Sequence, residues 1–310
     1  MARQDRGDAR GEGLSTTPEE PGRRPTDLQA RTAPAQMKPA PRLGQAWIGT
    51  SGWVYPHWKG RFYPANLPAT RWLAHYASIF DTVELNNPFY RQPSREMFER
   101  WRGRVPEHFV YSVKLNRFLT HIKRLNIEQD SVERSYGSMA GLGPKLGVVL
   151  AQLPPKMRFD AERAGRFFRM VARRRRRHAL EPRDESWFTE ESLALLRRRK
   201  VALCIQDSAK WSTRLDVVTA GFVYLRFHGP EALYGSGYSD AQLRVWAMRI
   251  RGWIERGLDV YAYFNNDVPD HAPRDAQRLR ELIGGPAARA IPGRLEDVDH
   301  TPRPWMRERG

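Results

Sequence analysis

Polar and charged side chains alternate with apolar ones at the ends of several apolar runs. In the run FVYLRFH, Arg226 and His228 fall on the same face of a predicted strand. A second run places Glu84 and Asn86 together in the same way. A charge on the inner face of a sheet needs a partner or a ligand, because desolvating it alone is costly. These faces therefore indicate a site.

Residues of the same kind end five further apolar runs. They are Lys114, Gln152, Glu181 followed by Arg183, Asp207, and Asn266 with Asp267. If the runs are parallel strands, their carboxyl ends meet at one opening, where barrels of this class bind ligands. Guanidinium and ammonium groups fix anions, while carboxylates and imidazoles transfer protons. We predict an enzyme that acts on a small anionic substrate, phosphorylated or sugar-like, by acid/base chemistry.

The predicted roles divide this set in two. The catalytic residues are Glu181, His228, Glu84 and Asp267, with Glu181 or His228 as general acid or base. The substrate-binding residues supply cations, amides and rings: Lys114, Arg183, Arg226, Asn86, Gln152, Asn266, Tyr90, Trp53 and His121. A histidine in a loop is as often merely hydrogen bonded, so His121 stays open between the two interpretations.

Three alternatives remain at this stage. The charged groups could neutralise one another in an internal ion-pair network, which perturbs pKa values without catalysis. The pocket could instead hold a divalent metal such as Mg²⁺, Mn²⁺ or Zn²⁺, although no tight ligand spacing marks one. Its ligands would come from Glu84, Glu181, Asp207, His228 or Asp267. Finally, the chain could be a non-catalytic protein that associates with nucleic acid through its arginines.

An aromatic, glycine-rich segment, GTSGWVY, follows the first predicted strand. Trp53 and Tyr55 could stack against a planar or sugar-like ligand, and the glycines would let backbone N–H groups approach an anion. The same rings would equally serve to close one end of the barrel and hold the loop down. The sequence leaves both interpretations open.

The net charge of +17 raises a polyanion as partner. However, 44 of the 52 basic residues are arginine, a bias that a GC-rich genome produces without selection for binding. The runs 173–177 and 197–200 end predicted helices, where the helix dipole favours cations, and they precede strands. We interpret both runs as solvated helix ends, at the opposite end of the barrel from the predicted site.

One cysteine, Cys204, excludes an intramolecular disulfide and favours a reducing compartment, so we expect the cytoplasm. No apolar run reaches the length of about 18 residues that a spanning helix needs, so no membrane partner is expected. The oligomeric state is not indicated.

Alternation of short apolar runs with longer amphipathic ones predicts repeated β-α units around a parallel sheet. The eight predicted strands are 46–51, 82–86, 109–115, 146–152, 179–183, 202–207, 222–228 and 260–265. The clearest helices are 69–80, 94–104, 161–174, 190–199, 240–256 and 273–283. Residues 1–43 hold almost no large apolar side chains and predict a disordered tail. The domain is placed at 44–300, followed by a short tail, 301–310. Periodicity alone does not separate a closed barrel from an open sheet.

Six strings in this order resemble the YecE-like family, domain of unknown function 72. They are GTSGW at 49–53, ELN at 84–86 before Phe89 and Tyr90, Lys114 with Thr120 and His121, QLPP at 152–155, RFHG at 226–229, and FNND at 264–267. The resemblance spans about 46–284 and implies a TIM-like (β/α)₈ barrel without implying a reaction. One departure is Asn87-Pro88, where relatives carry small hydroxylated residues.

The resemblance also implies which residues line a shared pocket. They are Glu84, Asn86, Lys114, Gln152, Glu181, Arg183, Arg226, His228, Asn266 and Asp267.

Overall fold

The computed structural model describes residues 42–209 and 217–284, and the statements below concern these residues. Eight parallel strands form one sheet in the order β1-β8-β7-β6-β5-β4-β3-β2. They are β1 Ala46–Thr50, β2 Thr82–Leu85, β3 Val110–Lys114, β4 Leu146–Gln152, β5 Arg177–Glu181, β6 Val201–Asp207, β7 Phe222–Phe227 and β8 Asp259–Phe264. A bridge between Ser51 and Glu84 joins the two edges, so the sheet is a nearly closed barrel. The predicted TIM-like architecture is confirmed.

Helices cover the outside of the barrel. The α-helices in the described part are α1 Trp72–Ala77, α2 Asn87–Tyr90, α3 Arg95–Arg102, α4 Gln129–Met139, α5 Ala161–Ala172, α6 Glu190–Arg199, α7 Asp240–Glu255 and α8 His271–Gly284. Four 3₁₀ segments, Pro56–Trp58, Ala69–Arg71, Ala140–Lys145 and Glu185–Phe188, and a π segment, Phe118–Ile122, complete them. No helix within residues 42–209 and 217–284 is long and apolar enough to cross a membrane.

Side-chain caps explain why three of the predicted helices begin where they do. The hydroxyl oxygens of Ser94, Thr189 and Ser239 accept hydrogen bonds from the backbone N–H groups three residues later. Such a cap satisfies one of the donors that a helix start leaves free. At Ser239 the side-chain oxygen of Gln242 also accepts a hydrogen bond from the backbone N–H of Ser239, which completes a capping box.

Most strand boundaries agree with the sequence prediction to within one or two residues. Strand β4 matches at both ends, whereas β5 begins and ends two residues earlier than predicted, which leaves Arg183 beyond its end. The segment between β3 and β4, undefined from sequence, contains the π segment and α4. The predicted tail 1–43 lies almost wholly outside the described residues, and the tail 301–310 lies entirely outside them.

The alternation predicted for β7 is confirmed. Val223 and Leu225 pack in the apolar layer between strands and helices, while Tyr224 points into the barrel. The barrel interior is a second apolar cluster: Val148, Leu150, Ala179, Ala202, Cys204, Phe222, Tyr224, Tyr261 and Tyr263. These side chains fill the barrel interior, as in closed barrels of this size. The charged side chains at the carboxyl ends of the strands therefore pack on an apolar layer.

Candidate functional site

One guanidinium, that of Arg226, bridges carboxylates from two other strands. Its Nη2 donates to Oε1 of Glu84 at 2.8 Å, and its Nη1 donates to Oε2 of Glu181 at 2.6 Å. Arg226 Nε also approaches both oxygens of Glu84, at 3.2 and 3.1 Å. All three side chains are at most 1% exposed. Three of the predicted site residues therefore meet inside the barrel and neutralise part of one another's charge.

Each carboxylate also accepts hydrogen bonds from neutral groups. Glu84 accepts from the hydroxyls of Ser51 and Tyr224, both at 2.7 Å. Glu181 Oε1 accepts from Gln152 Nε2 at 2.6 Å. Most lone pairs of both carboxylates are therefore already engaged, as the burial of a charge requires.

A second arginine holds Glu181 in its charged form. Arg183 Nη2 lies 3.1 Å from Glu181 Oε1. Burial alone would raise the pKa of Glu181, but Arg226 and Arg183 outweigh it and lower the pKa below its ordinary range. Glu181 is therefore a fixed anion at neutral pH, and the contacts favour a positioning role over proton transfer.

The imidazole of His228 is buried and neutral. Burial and the neighbouring Arg226 lower its pKa to about 3. Asn265 Nδ2 stands 3.1 Å from His228 Nδ1, and Arg226 Nη1 stands 3.5 Å from Nε2. Both ring nitrogens thus face protein groups. His228 could act as a general base only if Asn265 or Arg226 moved away from its ring nitrogen.

Lys114 differs from every other charge of this layer. Its side chain is 8% exposed, and in the described part of the chain its ammonium has no ion pair or hydrogen bond. Its Nζ lies 4.0 Å from the centre of the Phe89 ring. Burial first, and then Arg226, lower the pKa of Lys114 to about 7. Lys114 therefore exchanges a proton in the physiological range, a property the sequence did not reveal.

Two further predicted residues stand beside the Phe89 ring. The His121 ring contacts Phe89 edge-on at 4.8 Å between centres. Burial, followed by Lys114, lowers the pKa of His121 to about 4, which keeps the imidazole neutral. Tyr90 is 70% exposed and packs edge-on against Phe89, with 5.0 Å between ring centres. Lys114, His121 and Tyr90 thus share one aromatic support at the end of β3.

Four predicted residues point elsewhere. Trp53 is buried and packs edge-on against Trp101 of α3, so it belongs to the core. Asn266 donates to Asp275 of α8 at 2.8 Å, and Asp207 accepts from Trp246 of α7 at 2.7 Å. For Asn266 and Asp207 the reason is parity. Asn266 follows Phe264 by two residues and Asp207 pairs in register with Phe227, and both phenylalanines lie in the layer that faces the helices.

The fourth, Asp267, lies at the first loop. Its backbone oxygen accepts bonds from the rings of His57 and Trp58, both at 2.9 Å, and its carboxylate is 3.8 Å from His57. Burial raises the pKa of Asp267. Asp267 therefore helps to hold the aromatic segment, which supports the interpretation that these rings close the loop down.

Several residues of the inner layer are absent from the predicted site. Gln206 lies beside Arg226 in the β6–β7 register, and its buried Oε1 has no hydrogen-bond partner among the residues that the structure describes. Asn265, Ser51 and Tyr224 contact His228 or Glu84 directly. The signal that would have found Gln206 and Asn265 is strict alternation along β6 and β8. The more conspicuous acids at the strand ends drew attention instead.

The described residues contain no set of ligands for the divalent metal considered from the sequence. Within the described ranges, no three His, Cys, Asp or Glu side chains lie close enough together to hold a metal ion. The two glutamates that do converge are bound to arginines. By contrast, an internal ion-pair network does form in the structure. Its members are Glu84, Glu181, Arg226 and Arg183, and within the described residues Lys114 is not one of them.

Comparison with known proteins agrees with this barrel. A family model described as protein of unknown function DUF72 matches residues 47–297, more than half of the chain. UPF0759 protein YunF of Bacillus subtilis is 27% identical over 271 residues, which cover 76% of this chain and 94% of YunF. A DUF72 family protein of Thermotoga maritima aligns at 25% identity with a TM-score of 0.68, over 78% of this chain and all of that one. One from Enterococcus faecalis aligns at 19% identity with a TM-score of 0.66, over 77% and 95%. The chain therefore belongs to the DUF72 family.

Proposed function

We propose that this protein is an enzyme that binds a small anionic substrate, phosphorylated or sugar-like, beside Lys114 and moves a proton on it. The observation that carries the proposal is the ammonium of Lys114, which has no ion pair or hydrogen bond in the described part of the chain, in a layer whose other charges are paired. The carboxylates of Glu84 and Glu181 are balanced by the guanidiniums of Arg226 and Arg183. The charge of Lys114 is therefore surplus, and an anion would balance it.

Lys114 also suits the proton transfer. General acids and bases work best when their pKa lies near the operating pH, and the pKa of Lys114 is about 7. Glu181 and His228, the acid/base candidates from sequence, are respectively a fixed carboxylate and a neutral ring held on both nitrogens. We assign them to positioning, and we assign Lys114 to the chemistry.

Anion binding tests the first half of this proposal. We expect orthophosphate and a panel of phosphorylated sugars to raise the melting temperature of the full chain, and titration calorimetry to give the affinity. Lys114→Met should weaken binding about tenfold or more, which corresponds to about 1.4 kcal/mol. Lys123→Met is the matched control, because Lys123 lies over the Phe118 ring at 5.6 Å yet is exposed. Equal binding by both variants would refute the proposal, since the anion would then sit on surface arginines.

Turnover tests the second half. Once the panel yields a substrate, Glu181→Gln should raise KM more than it lowers kcat, because it releases Arg183 and Gln152 without removing the proton carrier. Lys114→Met should abolish kcat. Full kcat in Lys114→Met would show that the proton moves through another group.

A further inference from the structure

The protein buries two lysines in opposite ways. Lys145 donates to the backbone oxygens of Arg102 and Val105, both at 2.9 Å, and lies 3.5 Å from Glu107. Lys114 is buried to a similar degree, yet within residues 42–209 and 217–284 its amine makes no ion pair or hydrogen bond and lies over the face of the Phe89 ring. An ammonium has three donors to satisfy, whereas a neutral amine has a free lone pair. The site of Lys114 therefore admits the neutral amine as well as the ammonium.

We propose that Lys114 is a nucleophile that forms an imine with the carbonyl carbon of a small anionic aldehyde or ketone. This inference rests on the proposed function, because the same anion site must bring the carbonyl to the amine. It narrows the substrate class from small anions in general to carbonyl compounds that carry a phosphate or carboxylate. Amines that are desolvated or placed next to another cation are the lysines that do such chemistry in proteins.

The step balances without a further reactant. The lone pair of Nζ attacks the carbonyl carbon, a C–N bond forms, and the C=O π electrons move to oxygen. A proton passes from nitrogen to that oxygen to give a carbinolamine. A proton from solvent joins the hydroxyl oxygen, and the C–O bond breaks as water leaves. The nitrogen lone pair forms the C=N bond, and nitrogen keeps its remaining hydrogen, which gives a protonated imine. The protonated imine draws electrons from the adjacent carbon, which makes a proton on that carbon easier to remove.

The surroundings support this use of Lys114. Burial and Arg226 bring its pKa to about 7, so about half of the amine is free at neutral pH, roughly a thousandfold more than in an ordinary lysine. Arg183, whose side chain is 16% exposed, stands on the same layer and supplies a guanidinium suited to a phosphate or carboxylate. The Phe89 ring limits the positions that the amine can take.

Reductive trapping tests the inference. The full chain is incubated at pH 7 with glyoxylate or dihydroxyacetone phosphate and sodium cyanoborohydride, and the labelled lysines are identified by peptide mass spectrometry. We expect Lys114 to be labelled at least about tenfold faster than exposed Lys123, because of its larger free-amine fraction. The labelling rate should rise between pH 6 and 8 and then level off. Labelling of Lys114 no faster than that of Lys123 would overturn the inference, and this comparison needs no variant.

Two controls separate this inference from the proposed function. Lys114→Arg keeps the cation and removes the nucleophile, so it should lose the fast adduct. Should that variant fold poorly by circular dichroism, Lys114→Met replaces it. Glycolate and glycerol 3-phosphate carry the anion without the carbonyl. If they bind and no adduct forms, the imine is wrong while the anion site stands. If neither analogue binds and no adduct forms, both proposals fail.

Discussion

The two ends of the barrel carry charged clusters built from the same residue types. At the amino-terminal end, Arg177 donates to Asp259 at 2.6 Å and to the hydroxyl of Tyr261 at 2.9 Å. At the carboxyl end, Arg226 joins Glu84 and Glu181. The first arginine is 39% exposed and the second 1%. The arginine of the amino-terminal ion pair is therefore partly solvated. The arginine of the carboxyl-end pairs depends wholly on protein partners.

The lysines sharpen the contrast. Lys145, near the amino-terminal end of β4, is tied to two backbone carbonyls. Lys114, at the carboxyl end of β3, has no such partner among the described residues. The buried lysine at the amino-terminal end has its hydrogen bonds satisfied, as expected of a structural residue. The buried lysine at the carboxyl end has an amine without such a partner among the described residues. The difference teaches that convergence of charge does not itself mark chemistry, whereas an unbalanced member of a balanced set does.

Removal of the bridging arginine should have the largest effect. Arg226→Leu leaves Glu84 and Glu181 buried with much of their charge uncompensated, so we expect the free energy of unfolding to fall by about 5 kcal/mol. Arg177→Leu at the other end should cost about 1 kcal/mol, since Arg177 is 39% exposed and buried Asp259 keeps a hydrogen bond from the backbone N–H of Gln45. Urea unfolding at pH 7 measures both. Equal losses would mean that burial does not separate the two ends.

Alternation predicted the eight parallel strands and the carboxyl-end layer, and the family resemblance implied the closed barrel. On β2, β3, β5 and β7, the inner positions Glu84, Lys114, Glu181 and Arg226 were found because a charge between apolar neighbours is conspicuous. The family, domain of unknown function 72, was found by six short strings in order and is confirmed. These features depend on local pattern, which a sequence carries directly.

What the sequence did not predict depends on distances between strands. Which carboxylate binds which arginine follows from barrel register. Nothing local showed that Arg226 would pair with two carboxylates and that Lys114 would pair with none among the described residues. Strand ends were the second difficulty. Alternation continues past the end of β8, so Asn265 faces inward and the predicted residue, Asn266, faces the helices. Acid/base roles were assigned from residue type, whereas the environment fixes the pKa.

The pH dependence of stability should reveal the unpaired amine. An unfolded lysine has a pKa near 10.4 and folded Lys114 one of about 7, so between these values the unfolded chain holds a proton that the folded chain lacks. The free energy of unfolding should therefore rise with pH across that window, by roughly 4 kcal/mol from this group. Lys114→Met should remove that rise, whereas Lys123→Met should keep it. Urea unfolding at pH 7, 8.5 and 10 measures the three proteins. Parallel curves for wild type and Lys114→Met would refute the assignment.

The smallest of these effects compares one hydroxyl at each end. Tyr224 donates to the buried carboxylate of Glu84 at 2.7 Å, whereas the hydroxyl of Tyr261 accepts from half-exposed Arg177. A hydrogen bond to a buried charge is worth more, so Tyr224→Phe should cost about 2 kcal/mol and Tyr261→Phe about 0.5 kcal/mol. Both changes remove a single oxygen and keep the ring, so packing is matched. Urea unfolding decides the order of the two losses. If Tyr261→Phe costs as much as Tyr224→Phe, the carboxyl-end charges are better solvated than their burial implies. Desolvation would then lower the pKa of Lys114 by less than the structure indicates.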